Sequence, residues 1–197
     1  MQDVIQQIYD MKPSHVFTIA DLQYSCNKTK IYRILKELRK NNVIDRSFRG
    51  IYYKVELSEF LGGRRLPPDI RDVVYKIAEM NKEVLQQHGA LATNHFRIST
   101  QVPLTYVFYT SGYSREITVH GSRIKFIHTD NKKLLQYPGE KVGGALACLY
   151  YLGKDLVDDK VLDKIKISIG EVNFQILAAA HLDKWIQNKI ESYLHKS

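Results

Sequence analysis

The stretch Asn27–Lys54 reads NKTKIYRILKELRKNNVIDRSFRGIYYK and carries most of the excess charge of the chain. Nine basic and two acidic side chains give it a net charge of +7, against +8 for all 197 residues. An apolar stripe at helical spacing (Ile31, Ile34, Leu35, Leu38) predicts a helix, which Asn27 would cap. Val43-Ile44 and Ile51–Tyr53 then predict two strands, joined by a turn at Phe48-Arg49-Gly50.

The residues before this stretch predict two further helices and a short strand. Apolar residues within 2–11 predict a first helix, and His15–Phe17 predicts a short edge strand. Thr18 followed by Asp21 resembles a capping box, and a short second helix is expected from Thr18 to Ser25. Three helices followed by a basic β-ribbon predict a winged helix–turn–helix over residues 1–57.

The charge distribution predicts binding to double-stranded DNA. A helix of this kind fits the major groove, and Lys or Arg beside the ribbon can neutralise phosphates. Tyr32 stands out because it lies in mid-helix beside Arg33. Two other interpretations stay open: a solvated basic face, and a winged helix that binds protein. The candidate DNA-binding residues are Lys28, Thr29, Lys30, Tyr32, Arg33, Lys36, Arg46 and Arg49.

Composition limits the class of protein. The chain is 44% hydrophobic, which is enough for one or two folded domains. No signal-like segment and no apolar run of spanning length is visible, so no membrane association is expected. The two cysteines, Cys26 and Cys148, form no CxxC pair and are expected to be reduced thiols. These features predict a soluble, cytoplasmic protein.

A second domain is expected after a linker. Residues 58–68 contain Gly62-Gly63 and Pro67-Pro68 and are interpreted as that linker. Residues 69–197 then predict a helix, a short strand, a further helix, a strand at Leu104–Tyr109, and a hairpin of Arg115–Val119 with Arg123–His128. Four helices follow, near 141–152, 158–167, 171–180 and 183–194. The fold class is therefore α+β, with a small antiparallel sheet and a helical C-terminal tail.

Catalytic, metal and cofactor sites are not indicated. The seven histidines show no metal-binding spacing, although His88 and His95 could share a helix face. Asp155, Asp158 and Asp159 are interpreted as residues that stabilise a helix start. We expect no enzyme activity, no metal and no cofactor.

The second domain contains four short motifs, which are Ser99–Pro103 (STQVP), Thr110–Arg115 (TSGYSR), Ile124–Phe126 (IKF) and Leu152–Asp159 (LGKDLVDD). In these motifs it resembles the AbiEi-type antitoxins of type IV toxin–antitoxin, or abortive infection, systems. Trp185 also falls where that family has an aromatic residue. With the basic segment in front, the resemblance covers almost the whole chain.

The resemblance implies a function. Such antitoxins repress their own operon by binding inverted repeats in the promoter, and they neutralise a nucleotidyltransferase-like toxin without a stable complex. The candidate antitoxin surface is Arg115, Arg123 and Lys125, which we expect on or next to the outward face of the hairpin. Two alternatives stay open. One is a winged-helix transcriptional regulator whose second domain binds an effector or a protein. The other is an enzyme acting on nucleic acid, which would need a metal or acid–base cluster.

Overall fold

The computed structural model of the chain describes residues 2–60, 62–101 and 105–196. Its contacts divide into two compact units. The first comprises Met1–Asn81 together with Val119–Gly121, and the second comprises Lys82–Thr118 and Ser122–Ser197.

The first unit begins with two helices and a three-stranded sheet. In chain order these are α1 (Gln2–Asp10), β1 (Val16–Thr18), α2 (Lys28–Lys40), β2 (Ile44–Phe48) and β3 (Ile51–Lys54). The strand order is β1-β3-β2 and both pairs are antiparallel. One apolar core joins the helices to the sheet, and it contains Val4, Ile8, Phe17, Leu22, Ile31, Ile34, Leu35, Leu38, Ile44 and Tyr52.

Helix α2 forms where its sequence predicts it. The Asn27 side chain accepts a hydrogen bond from the backbone N–H of Lys30 at 3.0 Å and caps the first turn. The helix ends at Lys40, and Asn42 takes a left-handed conformation with φ 59°. The predicted apolar stripe is confirmed, since all four of its members are buried. That burial directs the basic residues of α2 away from the core.

The expected second helix is a single 3₁₀ turn, Ile19–Asp21. The predicted capping box is present: the Thr18 hydroxyl accepts from the N–H of Ala20, and the Asp21 carboxylate accepts from the N–H of Thr18. The prediction of a helix as far as Ser25 is wrong. The Gln7 side chain of α1 bonds both backbone groups of Gln23, at 2.8 and 2.9 Å, so these groups do not join a helical ladder.

Residues 58–68, expected to be a linker, contain part of a hairpin. Strand β4 (Glu56–Ser58) pairs antiparallel with β5 (Arg64–Leu66). Helix α3 (Ile70–Met80) follows and contacts β1 and β3. Its Lys76 ammonium lies 3.2 Å from the Asp21 carboxylate. Burial opposes ionisation of Asp21, but bonds from Thr18 and Lys76 outweigh it and lower its pKa. The two units therefore divide after Asn81, whereas the sequence boundary placed α3 in the second domain.

The second unit contains a four-stranded sheet and five helices within the described residues. Its elements are β6 (Leu85–Gln87), α4 (Gly89–His95), β7 (Tyr106–Thr110), β8 (Arg115–Val119), β9 (Ser122–His128), α5 (Lys141–Leu156), α6 (Asp159–Ile169), α7 (Glu171–Ala179) and α8 (Lys184–Leu194). The strand order is β6-β7-β9-β8. β6 and β7 are antiparallel, but β7 and β9 run parallel. Leu104, expected to start β7, lies outside the described residues.

The helices of the second unit share a core that α5 dominates. Val142–Leu149 is buried along its whole length, and α4, α6, α7 and α8 all contact α5 or pack on the same cluster. Gly153 interrupts α5 with φ 73°, close to the predicted helix end at residue 152. The α+β class is confirmed, with helices and small, mainly antiparallel sheets.

None of the described helices combines the length and the apolar character needed to cross a bilayer.

Candidate nucleic-acid interface

All eight candidate DNA-binding residues are exposed. Six of them lie on α2, and Arg46 and Arg49 lie on β2 and in the β2–β3 turn. Tyr32 exposes 54% of its surface although it is aromatic. The buried stripe of α2 leaves the opposite side available, so the helix presents an accessible basic and aromatic face.

Most of these cations have no partner among the residues that the structure describes. The side chains of Lys28, Lys30, Arg33, Lys36 and Arg49 form no hydrogen bond or ion pair with any described residue. Arg46 differs, because its Nε donates to the carbonyl of Phe48 at 3.1 Å. Exposed cations without ion-pair partners create a positive potential that attracts polyanions.

Asp45, the acidic residue of β2, is already neutralised. Arg39 lies 3.4 Å from one of its oxygens and Arg65 lies 3.1 Å from the other. Arg65 also bonds the Asn42 side chain. Arg39 and Arg65 therefore compensate Asp45, while the candidate residues keep their charge available. The other carboxylate of the basic stretch is Glu37, which lies on α2 and is exposed.

The β2–β3 turn is shaped by Gly50, whose φ is 76°. A side chain is strained in this left-handed region, and a Cβ would also lie 3.2 Å from the Met80 methyl carbon. The register of β2 shifts between Arg46 and Phe48, and Phe48 pairs with Ile51 directly before the turn. Arg49 is left exposed at the tip.

Arg115 does not lie on an outward face, so the prediction that it forms part of an exposed antitoxin surface is wrong. Its side chain is 11% exposed and forms two bonds to Glu83, at 3.0 and 2.8 Å. The guanidinium also lies 4.1 Å from the centre of the Phe126 ring. Arg115 shares its strand face with Ile117 and the buried Val119, and the carboxylate that pairs with it there comes from 32 residues earlier. Arg123 and Lys125 are exposed on β9 as expected.

The segment Thr110–Arg115 is organised around the same carboxylate. The Thr110 hydroxyl donates to Glu83 at 3.0 Å, so both ends of the segment bind one side chain. A Cβ at Gly112 would lie 2.4 Å from the Glu83 carboxyl carbon. Glu83 is thus a central residue that sequence reasoning missed, since nothing in its local pattern signals a partner so far along the chain.

The remaining parts of the resemblance take ordinary structural positions. Ser99–Gln101 lies between α4 and β7, and Val102 and Pro103 lie outside the described residues. Asp158 caps α6 by accepting from the N–H of Val161 at 2.9 Å, as its position predicts. His88 caps α4 through Nδ1, and burial lowers its pKa. Among the described residues, no three His, Cys, Asp or Glu side chains are grouped to hold a metal ion.

Comparison with known proteins places the chain in a family. The model of the family described as "Family of unknown function (DUF6088)" matches residues 3–174.

The chain belongs to the DUF6088 family. The match runs from α1 into α7, so it includes the basic helix, the β2–β3 turn and the Glu83 network of this DUF6088 protein. No curated protein and no solved structure gives a significant match.

Proposed function

We propose that this DUF6088 protein binds duplex DNA through a winged helix–turn–helix formed by residues 1–57. The observation that carries the proposal is the exposed, uncompensated basic face of α2 and the β2–β3 turn. Support also comes from the order of the elements along the chain, which is a helix, a strand, a 3₁₀ turn, the basic helix and two strands. In the sheet the strands follow the order β1-β3-β2. That order is typical of winged helices.

The two basic parts have different roles in this proposal. Helix α2 enters the major groove, where Lys28, Thr29, Lys30, Tyr32, Arg33 and Lys36 are available to base edges and nearby phosphates. Arg46 and Arg49 at the ribbon contact the phosphate backbone. Each neutralised phosphate releases condensed counterions, so affinity falls as salt rises.

We further propose that the protein is an antitoxin that represses its own operon and neutralises a nucleotidyltransferase-like toxin in the cytoplasm. The support is the similarity of residues 98–159 to AbiEi-type antitoxins, with the DNA-binding segment in front. Arg123 and Lys125 remain the exposed candidates for the neutralising surface. Arg115 contributes by holding the β7–β8 turn rather than by contact with a partner.

The DNA proposal is tested by measuring fluorescence anisotropy on duplexes from the region upstream of the gene, with scrambled duplexes as comparison. Arg33→Ala is expected to weaken binding to the specific duplex by about 1–3 kcal/mol and to relax base preference. Arg49→Ala is expected to weaken both duplexes alike and to reduce the slope of log affinity against log salt by about one unit.

Arg123→Ala, an exposed arginine of the second unit, is the matched control and should leave DNA binding unchanged. Equal affinity of Arg33→Ala and wild type on the specific duplex would remove α2 from the interface. An unchanged salt slope in Arg49→Ala would remove the turn from phosphate contact.

The antitoxin proposal is tested by co-expression with the neighbouring gene, scored by growth. Arg33→Ala should keep neutralisation, whereas the double variant Arg123→Ala/Lys125→Ala should lose it while retaining DNA binding. A neighbouring gene unrelated to nucleotidyltransferases, with no effect on growth, would favour a transcriptional regulator that responds to an effector.

A further inference from the structure

A groove in the second unit brings together residues from α5 and α8. It has a volume of about 370 Å³ and is lined by Lys154, Lys184, Trp185, Asn188, Lys189 and Ser192. Gly153 interrupts α5 just before Lys154, and the other lining residues lie along one side of α8. Lys154 and Trp185 are far apart in sequence but meet at this groove.

The electrostatics of the groove favour an anion. Three lysines line it, and its lining contains no carboxylate. Lys154 and Lys184 form no hydrogen bond or ion pair with a described residue, while Lys189 is fixed by donating to the carbonyl of Val157 at 2.8 Å. Neighbouring carboxylates are compensated elsewhere: Asp183 is 2.7 Å from Lys133, and Asp159 is 2.9 Å from Lys196. Asp155 follows Lys154 in the chain but does not line the groove.

Trp185 adds a flat aromatic surface beside these cations. It is partly buried against the core, and its indole N–H donates to no described residue. Asn188 and Ser192 add a carboxamide and a hydroxyl that likewise form no side-chain bond to a described residue. A ring that can stack, three ammonium groups and two neutral polar groups match a planar base attached to phosphates.

We infer that this groove binds a free nucleotide, with the base against Trp185 and the phosphates between Lys154, Lys184 and Lys189. The volume lies within the usual range for small-molecule sites. The site is distinct from the basic face of α2, and the inference does not depend on DNA binding or on toxin neutralisation.

Trp185 is the single tryptophan of the chain, so its fluorescence reports on the groove directly. The full-length protein is titrated with ATP, with adenosine and with inorganic tripolyphosphate. ATP is expected to change the fluorescence saturably, and adenosine and tripolyphosphate should each bind about tenfold more weakly because each lacks half of the contacts.

Lys154→Gln and Lys184→Gln should each weaken ATP binding by about fivefold. Lys132→Gln, an exposed lysine outside the groove, is the matched control and should leave affinity unchanged. Two results would overturn the inference: no saturable fluorescence change at about 1 mM ATP, or equal affinity in wild type and in the Lys154→Gln/Lys184→Gln double variant.

Discussion

Replacing Arg115 with methionine tests whether the Glu83–Arg115 pair is a structural element of the second unit. The substitution keeps an unbranched apolar stem but removes the guanidinium. Among the described side chains, the Thr110 hydroxyl then remains as a hydrogen-bond donor to the Glu83 carboxylate. The side chains of Glu83 and Arg115 are 7% and 11% exposed, so water replaces the lost bonds poorly.

The expected loss follows from this burial. Removing one partner of a buried pair costs about 3–5 kcal/mol, because the remaining charge is left without compensation. The contact between Arg115 and the Phe126 ring adds about 1 kcal/mol. Since the Arg115 side chain keeps a small contact with solvent, we expect about 3–4 kcal/mol of lost unfolding free energy.

A double-mutant cycle separates the pair from general packing. Glu83→Gln keeps an acceptor for Thr110 and removes the charge, so Glu83→Gln/Arg115→Met should be more stable than Arg115→Met alone. The coupling energy should be about 2–3 kcal/mol. The free energy of unfolding is measured by urea denaturation. Arg123→Met, on the exposed side of β9, is the control, and its unfolding free energy should lie within about 0.5 kcal/mol of the wild-type value. A loss below about 1 kcal/mol in Arg115→Met, with no coupling, would refute a stabilising role of the buried charge pair.

Two further predictions concern α4. Gly89→Ala should destabilise the protein by about 1–3 kcal/mol in the same denaturation assay. The reason is that the added Cβ would lie 2.1 Å from Tyr151 Cβ and 2.3 Å from the Ala147 carbonyl oxygen. Full stability of this variant would contradict the close packing. His88, whose folded pKa is lowered by burial, contributes stability that is complete above its unfolded pKa of about 6.5 and is lost as pH falls through the folded value, by at most about 1.4 kcal/mol per pH unit. His88→Asn keeps a cap for the N–H of Ala90 and should remove that acid dependence, whereas an unchanged pH profile of unfolding would place it on another group.

The local features of the first unit were predictable from sequence. Helix α2 is specified by its cap Asn27, its apolar stripe and its asparagine end, all within 16 residues of chain. The exposure of its basic residues follows from the same periodicity. The second helix was overestimated because the Gln7 side chain competes for the Gln23 backbone, a contact that no local propensity reveals.

The features of the second unit that its sequence does not reveal depend on distant partners. Arg115 shares a strand face with Ile117 and Val119, so the alternation of β8 places it inward, but its partner Glu83 lies 32 residues earlier in the chain. The parallel alignment of β7 and β9 likewise depends on tertiary pairing, since a hairpin signal at His120-Gly121 specifies only that β8 and β9 are neighbours. The groove at Trp185 combines residues from two helices whose relative placement the sequence does not encode locally.

The strand order β6-β7-β9-β8 also constrains the route by which the chain folds. β7 is followed in sequence by β8, yet its neighbours in the sheet are β6 and β9, with Tyr106 opposite Ile124. The hairpin of β8 and β9 closes a loop of a few residues and can form within microseconds, whereas the β7–β9 pair must close a longer loop. We therefore expect the hairpin to form first and then dock onto β7, so substitutions in the β8–β9 turn should slow folding more than substitutions in the parallel pair.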